Sequence, residues 1–123
     1  MRFVWVVLGA ALGATARYLL GGWIASSVRG GFPWGTLVIN LIGCLAIGWL
    51  WGCGERFGWT VETRAFIFAG ILASFTTFSS FGLETVGLVR GGAPFQALAY
   101  VALSNAGGLL LVWVGTLLSR PAG

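Results

Sequence analysis

The sequence predicts an all-α integral membrane protein with four transmembrane helices, and three observations support this. Of the 123 residues, 58% are hydrophobic and only 8% are charged, whereas soluble domains carry about 25% charged residues. Residues 30–54, 65–83 and 91–119 contain no charge at all, and about 20 apolar residues can span a bilayer. A fourth apolar stretch, residues 3–25, is interrupted only by Arg17. We therefore expect one membrane domain over residues 1–123, located as a multi-pass protein in the cell (inner) membrane.

The first span covers about residues 3–25 and is interpreted as a helix rather than a signal peptide, because the rest of the chain is equally hydrophobic. Gly9 and Gly13 form a GxxxG pair in this span, and Gly48 and Gly52 form another in the second. In lipid, such small residues allow helix backbones to approach closely. The two pairs therefore predict tight helix–helix contacts.

The second span, about residues 35–54, begins just after Pro33, as helices often do. Asn40 lies inside this apolar run. Its spacing from Thr36 and Gly43 places all three residues on one helix face. The sequence thus predicts a partly polar face on the second helix.

The third span, about residues 65–88, has a centre that is poorly suited to a regular helix. It reads Ala73-Ser74-Phe75-Thr76-Thr77-Phe78-Ser79-Ser80-Phe81. Hydroxyl side chains there can replace backbone hydrogen bonds. We expect the helix to be broken near residues 73–78, which lipid tolerates only where protein or a wet cavity surrounds the backbone.

The fourth span covers about residues 95–118. At helical spacing, one of its faces carries small and polar residues: Tyr100, Ser104, Gly107, Gly108, Leu111 and Gly115. This face should meet protein or water rather than lipid.

Charge and motifs exclude several classes of function. The net charge is +4, with seven Arg, three Glu and no Lys, Asp or His. Every Arg except Arg17 falls at or beyond the end of an apolar run, which is typical of headgroup anchoring and not of a nucleic-acid surface. No hydrolase, metalloprotease or phosphate-binding motif occurs, so the sequence predicts no enzyme.

Polar residues in the third span indicate a different chemistry. Thr77, Ser80 and Glu84 share one helical stripe, and Phe78 and Phe81 occupy the neighbouring one. Hydroxyl donors beside ring edges, which carry partial positive charge, would suit a small anion. Neutral donors can replace hydration without binding so tightly that conduction stops. On spacing alone, ordinary packing remains the better explanation of the two phenylalanines.

Arg17 leaves two interpretations open. A charge at the bilayer centre would cost about 2.5–3.5 kcal/mol on insertion scales. The guanidinium either extends toward the interface or donates to backbone carbonyls at the helix break. Its role is accordingly either a structural tie or part of an ion pathway.

Three motifs occur in order in the first three spans: Gly13-Ala14-x-x-Arg17-Tyr18, Gly35-Thr36-x-x-x-Asn40-x-x-Gly43 and Thr76-Thr77-Phe78-Ser79-Ser80-Phe81-x-x-Glu84. With them the chain resembles, over essentially its full length, the Fluc (CrcB) family of fluoride channels. The resemblance implies a fluoride-selective channel that exports cytoplasmic fluoride passively. It also implies an antiparallel, dual-topology homodimer with two pores at the interface and a structural Na⁺ at the centre.

The resemblance also implies roles for particular residues. Phe78 and Phe81 would face the pores and Asn40 would supply the pore amide. Further pore positions would be Thr77, Ser79, Ser80, Glu84, Tyr100 and Ser104. Backbone carbonyls of Ala73 and Thr76 would bind Na⁺, while Arg17 and Gly43 would be structural.

The chain departs from the family pattern at three places. Ala73-Ser74 stands where the family usually has Gly-Gly, which matters if the backbone there needs a positive φ. Ser80 replaces a usual Thr, and Gly108 replaces a polar residue one turn beyond Ser104.

Two other classes of membrane protein are alternatives. A small dual-topology multidrug/proton antiporter would need a carboxylate in the first span, which carries only Arg17. A non-conducting membrane assembly subunit would explain the GxxxG pairs but not the polar cluster in the third span.

Overall fold

The computed structural model describes residues 1–28 and 30–119, and within these ranges the chain forms helices and short connections without strands. In the described part of the chain, four helices are long and apolar enough to cross a membrane: α1 (Arg2–Ser27), α2 (Trp34–Phe57), α3 (Val61–Arg90) and α4 (Pro94–Leu118). Each predicted span lies inside one of these helices. The predicted all-α, four-span architecture is confirmed, and the chain is a multi-pass membrane protein.

The connection between α2 and α3 shows how local chemistry ends one helix and starts the next. Gly58 follows α2 with a φ of 63°, a left-handed conformation that glycine adopts without steric cost. The Arg64 Nη2 donates to Gly54 O at 3.1 Å and so satisfies a carbonyl at the end of α2. Thr60 caps the start of α3, where its hydroxyl accepts from Thr63 N at 3.1 Å.

Helix α3 is composite rather than regular. Its segments are Val61–Arg64, a π-helical stretch Ala65–Leu72, a short turn Ala73–Phe75 and a second half Phe78–Arg90. Within α3 the backbone is extended at Thr76 and Thr77, with ψ of 157° and 124°. The break predicted near residues 73–78 is therefore confirmed, and it is shorter than expected.

The backbone at Ala73 shows whether Ala73-Ser74, in place of the family's usual Gly-Gly, requires a positive φ. Ala73 is helical, with φ of −65° and ψ of −29°. Among the described residues, positive φ occurs only at glycines. Ala73-Ser74 thus fits this backbone without strain.

Helix α4 also contains an irregular stretch. It comprises Pro94–Ala102, a π-helical turn Leu103–Gly107 and Gly108–Leu118. Hydrophobic periodicity did not predict this turn or the one in α3, because a π-turn shifts backbone bonds without changing composition.

Glycines set the packing of the bundle. Helix α1 lies on the first half of α3, where Gly9 and Gly13 contact the backbone of Gly70 and Ile71. Helix α2 lies on α4, where Gly48 contacts the backbone of Val112. The GxxxG pairs are therefore used within the chain, which removes the main feature that favoured a separate assembly subunit.

A small apolar core joins the second half of α3 to its neighbours. It is formed by Leu37, Leu88, Ala97 and Tyr100, and Tyr100 has no exposed surface. Most other large apolar side chains point outward, as expected of helices whose solvent is lipid.

Candidate functional site

The break in α3 is capped by its own threonines. Thr77 Oγ1 accepts from Ser80 N at 3.3 Å and caps the second half of the helix. Thr76 Oγ1 donates to Leu72 O at 3.2 Å. The first contact satisfies a backbone N–H that a helix terminus leaves without a partner. The second adds a donor to Leu72 O, which also accepts from Thr76 N at 3.1 Å.

Asn40 on α2 supplies hydrogen-bond partners for the backbone at the break in α3. Its Nδ2 donates to Thr77 O at 3.0 Å, and its Oδ1 accepts from Thr77 N at 2.8 Å. Gly43 lies one turn further along α2, where a Cβ atom would collide with Thr76 Cγ2. Asn40 and Gly43 therefore let α2 dock directly on the extended backbone.

The break also frees backbone carbonyls. In a continuous helix, Ala73 O would accept from Thr77 N and Thr76 O from Ser80 N. Both N–H groups instead donate to side chains, Asn40 Oδ1 and Thr77 Oγ1. The carbonyls of Ala73 and Thr76 thereby lose their usual helical donors.

Arg17 on α1 meets the same segment. Its Nε donates to Ser74 O at 3.0 Å. Of the two contacts considered for Arg17, the structure has the one with a carbonyl at the break. The guanidinium thus ties α1 to the end of the first half of α3.

A cavity of about 360 Å³ lies on one side of the break, and we call it the aromatic cavity. Its lining includes Asn40, Gly43, Cys44, Phe68, Ala73, Thr76, Thr77, Phe78, Phe81, Ser104 and Asn105. The Phe78 and Phe81 ring centroids are 5.6 Å apart. Phe78 is 80% exposed, whereas Phe81 also packs against the Tyr100 ring at 5.0 Å.

A second cavity of about 340 Å³ lies on the other side of the break, and we call it the arginine cavity. Its polar lining is Arg17, Tyr18, Thr36, Thr77, Ser80 and Glu84. Within the stripe of Thr77, Ser80 and Glu84, the last two residues therefore face a space different from that of the two phenylalanines. Thr77 lines both cavities.

Two other residues of the candidate site line neither cavity. Tyr100 is fully buried, and its hydroxyl donates to Glu84 Oε1 at 3.3 Å. Ser79 is exposed, with its hydroxyl 3.5 Å from Thr77 Oγ1. The structure thus brings Asn40, Thr77 and Ser104 together with the aromatic pair, and it places the hydroxyls of Ser79, Ser80 and Tyr100 elsewhere.

Asn105 is the polar residue of the aromatic cavity that the sequence did not place in the site. In a regular helix, neighbouring residues diverge by about 100°, so Ser104 and Asn105 were not expected to share a face. The available signal was the adjacent pair itself, followed by Gly107-Gly108.

The chemistry of the aromatic cavity is neutral. It offers amide and hydroxyl donors and aromatic rings, and among the described residues no Arg, Asp or Glu lines it. Among the described residues there is also no group of three or more His, Cys, Asp or Glu that could bind a metal through side chains. The amide, hydroxyl and backbone groups of such a site can interact with a small ion.

Comparison with known proteins places the chain in a family. A family model described as "CrcB-like protein, Camphor Resistance (CrcB)" matches residues 4–116. Three similar proteins carry the name fluoride-specific ion channel FluC. The one from Parabacteroides distasonis is 39% identical, covering 94% of this chain and 90% of the relative. Those from Salinibacter ruber and Methylocella silvestris are each 42% identical over 94% of this chain, and over 86% and 90% of the relatives.

These matches extend across all four helices and include both sides of the break. The chain therefore belongs to the CrcB-like family.

Proposed function

We propose that this protein is a fluoride-selective channel that lets cytoplasmic fluoride leave the cell passively across the inner membrane. The main support is the aromatic cavity, where the Asn40 amide and the Ser104 hydroxyl lie together with the Phe78 and Phe81 rings. The names of the relatives agree with this assignment.

Neutral donors suit fluoride for a physical reason. Fluoride is small and strongly hydrated, so a pore must replace its water with several close donors. Amide and hydroxyl groups donate without carrying a full charge, and ring edges add partial positive charge. An anion held this way can still leave, which conduction requires.

The proposed channel is an antiparallel homodimer with two pores along the interface. Phe78 is 80% exposed although it lines the aromatic cavity, and a cavity with polar groups should not face hydrocarbon. A second copy would cover this face and close the cavity on its open side. The inverted orientation of that copy is part of the proposal.

A structural Na⁺ is proposed at the centre of this dimer. Two chains would supply the Ala73 and Thr76 carbonyls, giving 2 × 2 = 4 oxygens, and hard cations prefer oxygen ligands. The support in this chain is that side chains have taken over the N–H groups that would otherwise occupy these carbonyls. Ala73-Ser74 is compatible with the proposed site because Ala73 has ordinary helical angles.

A backbone substitution would test the sodium site. Ala73→Pro removes an N–H that donates to Gly70 O and distorts the preceding turn. We expect less intact dimer and loss of any Na⁺-dependent gain in its thermal stability, measured with Na⁺ or N-methylglucamine as the cation. Ala69→Ser, on an exposed position of the preceding stretch, is the control. A wild-type dimer whose stability ignores Na⁺ would contradict the proposal.

The function itself is tested by flux from liposomes. Purified protein is reconstituted with internal fluoride or chloride, and efflux is followed with ion-selective electrodes. We expect fast fluoride efflux, little chloride efflux and no dependence on an imposed pH gradient. Fluoride retention would overturn the proposal, whereas transport that requires a proton gradient would favour an antiporter.

A further inference from the structure

The π-helical turn Leu103–Gly107 in α4 gives two consecutive polar residues to one cavity. Ser104 and Asn105 both line the aromatic cavity. In a regular helix they would diverge by about 100°, and π-turns occur often at functional sites. The irregular backbone therefore coincides with a polar pair on the cavity wall.

Both side chains have donor capacity that the described chain does not use. Ser104 Oγ is buried and has no hydrogen-bond partner among the described residues. Asn105 Nδ2 donates to Val101 O at 2.9 Å, which fixes the amide against its own helix. Because an amide nitrogen carries two hydrogens, one N–H of Asn105 remains.

The opposite wall has a matching group. Asn40 Nδ2 donates one hydrogen to Thr77 O and likewise retains a second. The cavity therefore has neutral donors on α2 and on α4, without a carboxylate in its lining. Donors on two walls can surround a small anion more completely than donors on one.

We propose that Asn105 is a selectivity-determining anion ligand of the aromatic cavity, acting beside Ser104 and across from Asn40. The inference rests on the proposed fluoride-channel function and adds a specific ligand to it. A small anion gains most from a short, fixed donor, so Asn105 should favour fluoride over chloride.

Two substitutions at this position separate donation from bulk. Asn105→Leu keeps a similar volume and removes the donors, while Asn105→Asp keeps the shape and replaces the donors with a carboxylate. Thr116→Val is the matched control, since Thr116 also bonds a carbonyl of its own helix, Trp113 O at 2.6 Å, but does not line the aromatic cavity.

Each variant is reconstituted as intact dimer, verified by size-exclusion chromatography, and its fluoride and chloride efflux are measured beside wild type. For Asn105→Leu we expect fluoride efflux to fall about tenfold, in line with the net value of one hydrogen bond, and the fluoride-to-chloride ratio to fall. Fluoride efflux through Asn105→Asp should fall further, and fluoride efflux through Thr116→Val should match that of wild type.

The outcomes distinguish this inference from the proposed function. Wild-type protein that passes no fluoride would overturn the function. Wild-type flux with an unchanged rate and ratio in both Asn105 variants would overturn only the role of Asn105. Loss of the dimer in both variants, with Thr116→Val intact, would instead make Asn105 an assembly residue and also refute the proposal.

Discussion

Asn40 uses both ends of its amide on the backbone of Thr77, at 2.8 and 3.0 Å. A buried backbone group without a partner costs about 1–3 kcal/mol, so this pair of bonds stabilises the break considerably. The remaining N–H of the amide is then available to the aromatic cavity. One residue thus supports the irregular backbone and lines the proposed pore.

Asn40→Asp changes both of these roles at once. The carboxylate can still accept from Thr77 N but cannot donate to Thr77 O, and it adds negative charge where an anion should pass. We expect fluoride efflux to drop by more than about tenfold, because the anion loses at least one hydrogen-bond donor and meets a negative charge. Liposome efflux by intact dimer measures this, and an unchanged rate would remove Asn40 from the pore.

The two phenylalanines should respond differently in stability and alike in flux. Phe78→Ile and Phe81→Ile both remove the ring quadrupole, so each should reduce fluoride efflux. Phe81→Ile should also destabilise the fold by about 1 kcal/mol, since the Phe81 ring packs against Tyr100 at 5.0 Å and such pairs have about this value. Phe78→Ile should disturb packing within the chain less than Phe81→Ile, because the Phe78 side chain is 80% exposed there and only the second copy of the proposed dimer would cover it.

Efflux and thermal melts on the same preparations check both expectations. If both variants are intact dimers and conduct like wild type, the rings do not line the path.

At the scale of helices, close glycine contacts decide which faces meet. A Cβ placed on Gly9 would lie 2.9 Å from Gly70 Cα, a distance that real Cβ contacts do not reach. One placed on Gly115 would lie 2.7 Å from Trp49 N. Close packing of the helix pairs α1–α3 and α2–α4 therefore requires glycine at these contact positions.

Gly9→Ala should accordingly destabilise the bundle, by about 1–3 kcal/mol for overpacking. Gly22→Ala on the same helix is the control, because nothing lies within 4 Å of its Cβ position and alanine favours helix by up to about 1 kcal/mol. Thermal unfolding in detergent compares the two. Equal melting temperatures would show that the α1–α3 contact is looser than described.

The four membrane-spanning helices were predictable because each corresponds to a long apolar run in the sequence. The break was also predictable, since Thr76 and Thr77 offer hydroxyls that compete with helical bonds. The π-turns were not, because Ala65–Leu72 and Leu103–Gly107 differ from α-helix only in backbone pairing. For the same reason periodicity placed Ser104, and not Asn105, on the small and polar face of the fourth span.

For the whole molecule, the distribution of arginines bears on orientation. If both termini share a side, that side holds four arginines and the other two, a bias of 4 − 2 = 2. The first group is Arg2, Arg56, Arg64 and Arg120, and the second is Arg29 and Arg90, of which Arg29 and Arg120 lie outside the described residues. So small a bias sets topology weakly.

We therefore predict that copies insert in both orientations. Reporter fusions at the C-terminus, or accessibility labelling of a cysteine introduced at Gly58, should give signal from both sides of the membrane. A single orientation for every copy would contradict the antiparallel dimer.

The position of the candidate residues near the break was predictable from the sequence more than their arrangement around it. Helical spacing correctly separated Phe78 and Phe81 from the stripe of Thr77, Ser80 and Glu84. It could not show that Ser80 and Glu84 face a different cavity from the phenylalanines while Thr77 lines both, since that depends on how α1 and α2 pack around the break. The burial of Tyr100 against Glu84 was not predictable from helical spacing either, because its surroundings come from distant parts of the chain.

The pairing of α1 with α3 and of α2 with α4 has a consequence for how the protein is made. The chain leaves the ribosome in order, so α1 and α2 enter the bilayer before either has its closest partner. Until α3 and α4 are inserted, the glycine faces of α1 and α2 contact lipid or the insertion machinery instead of their partner helices. Assembly is therefore completed after synthesis of α4, and a chain that stops before α4 would expose Gly48 and its neighbours to any other helix nearby.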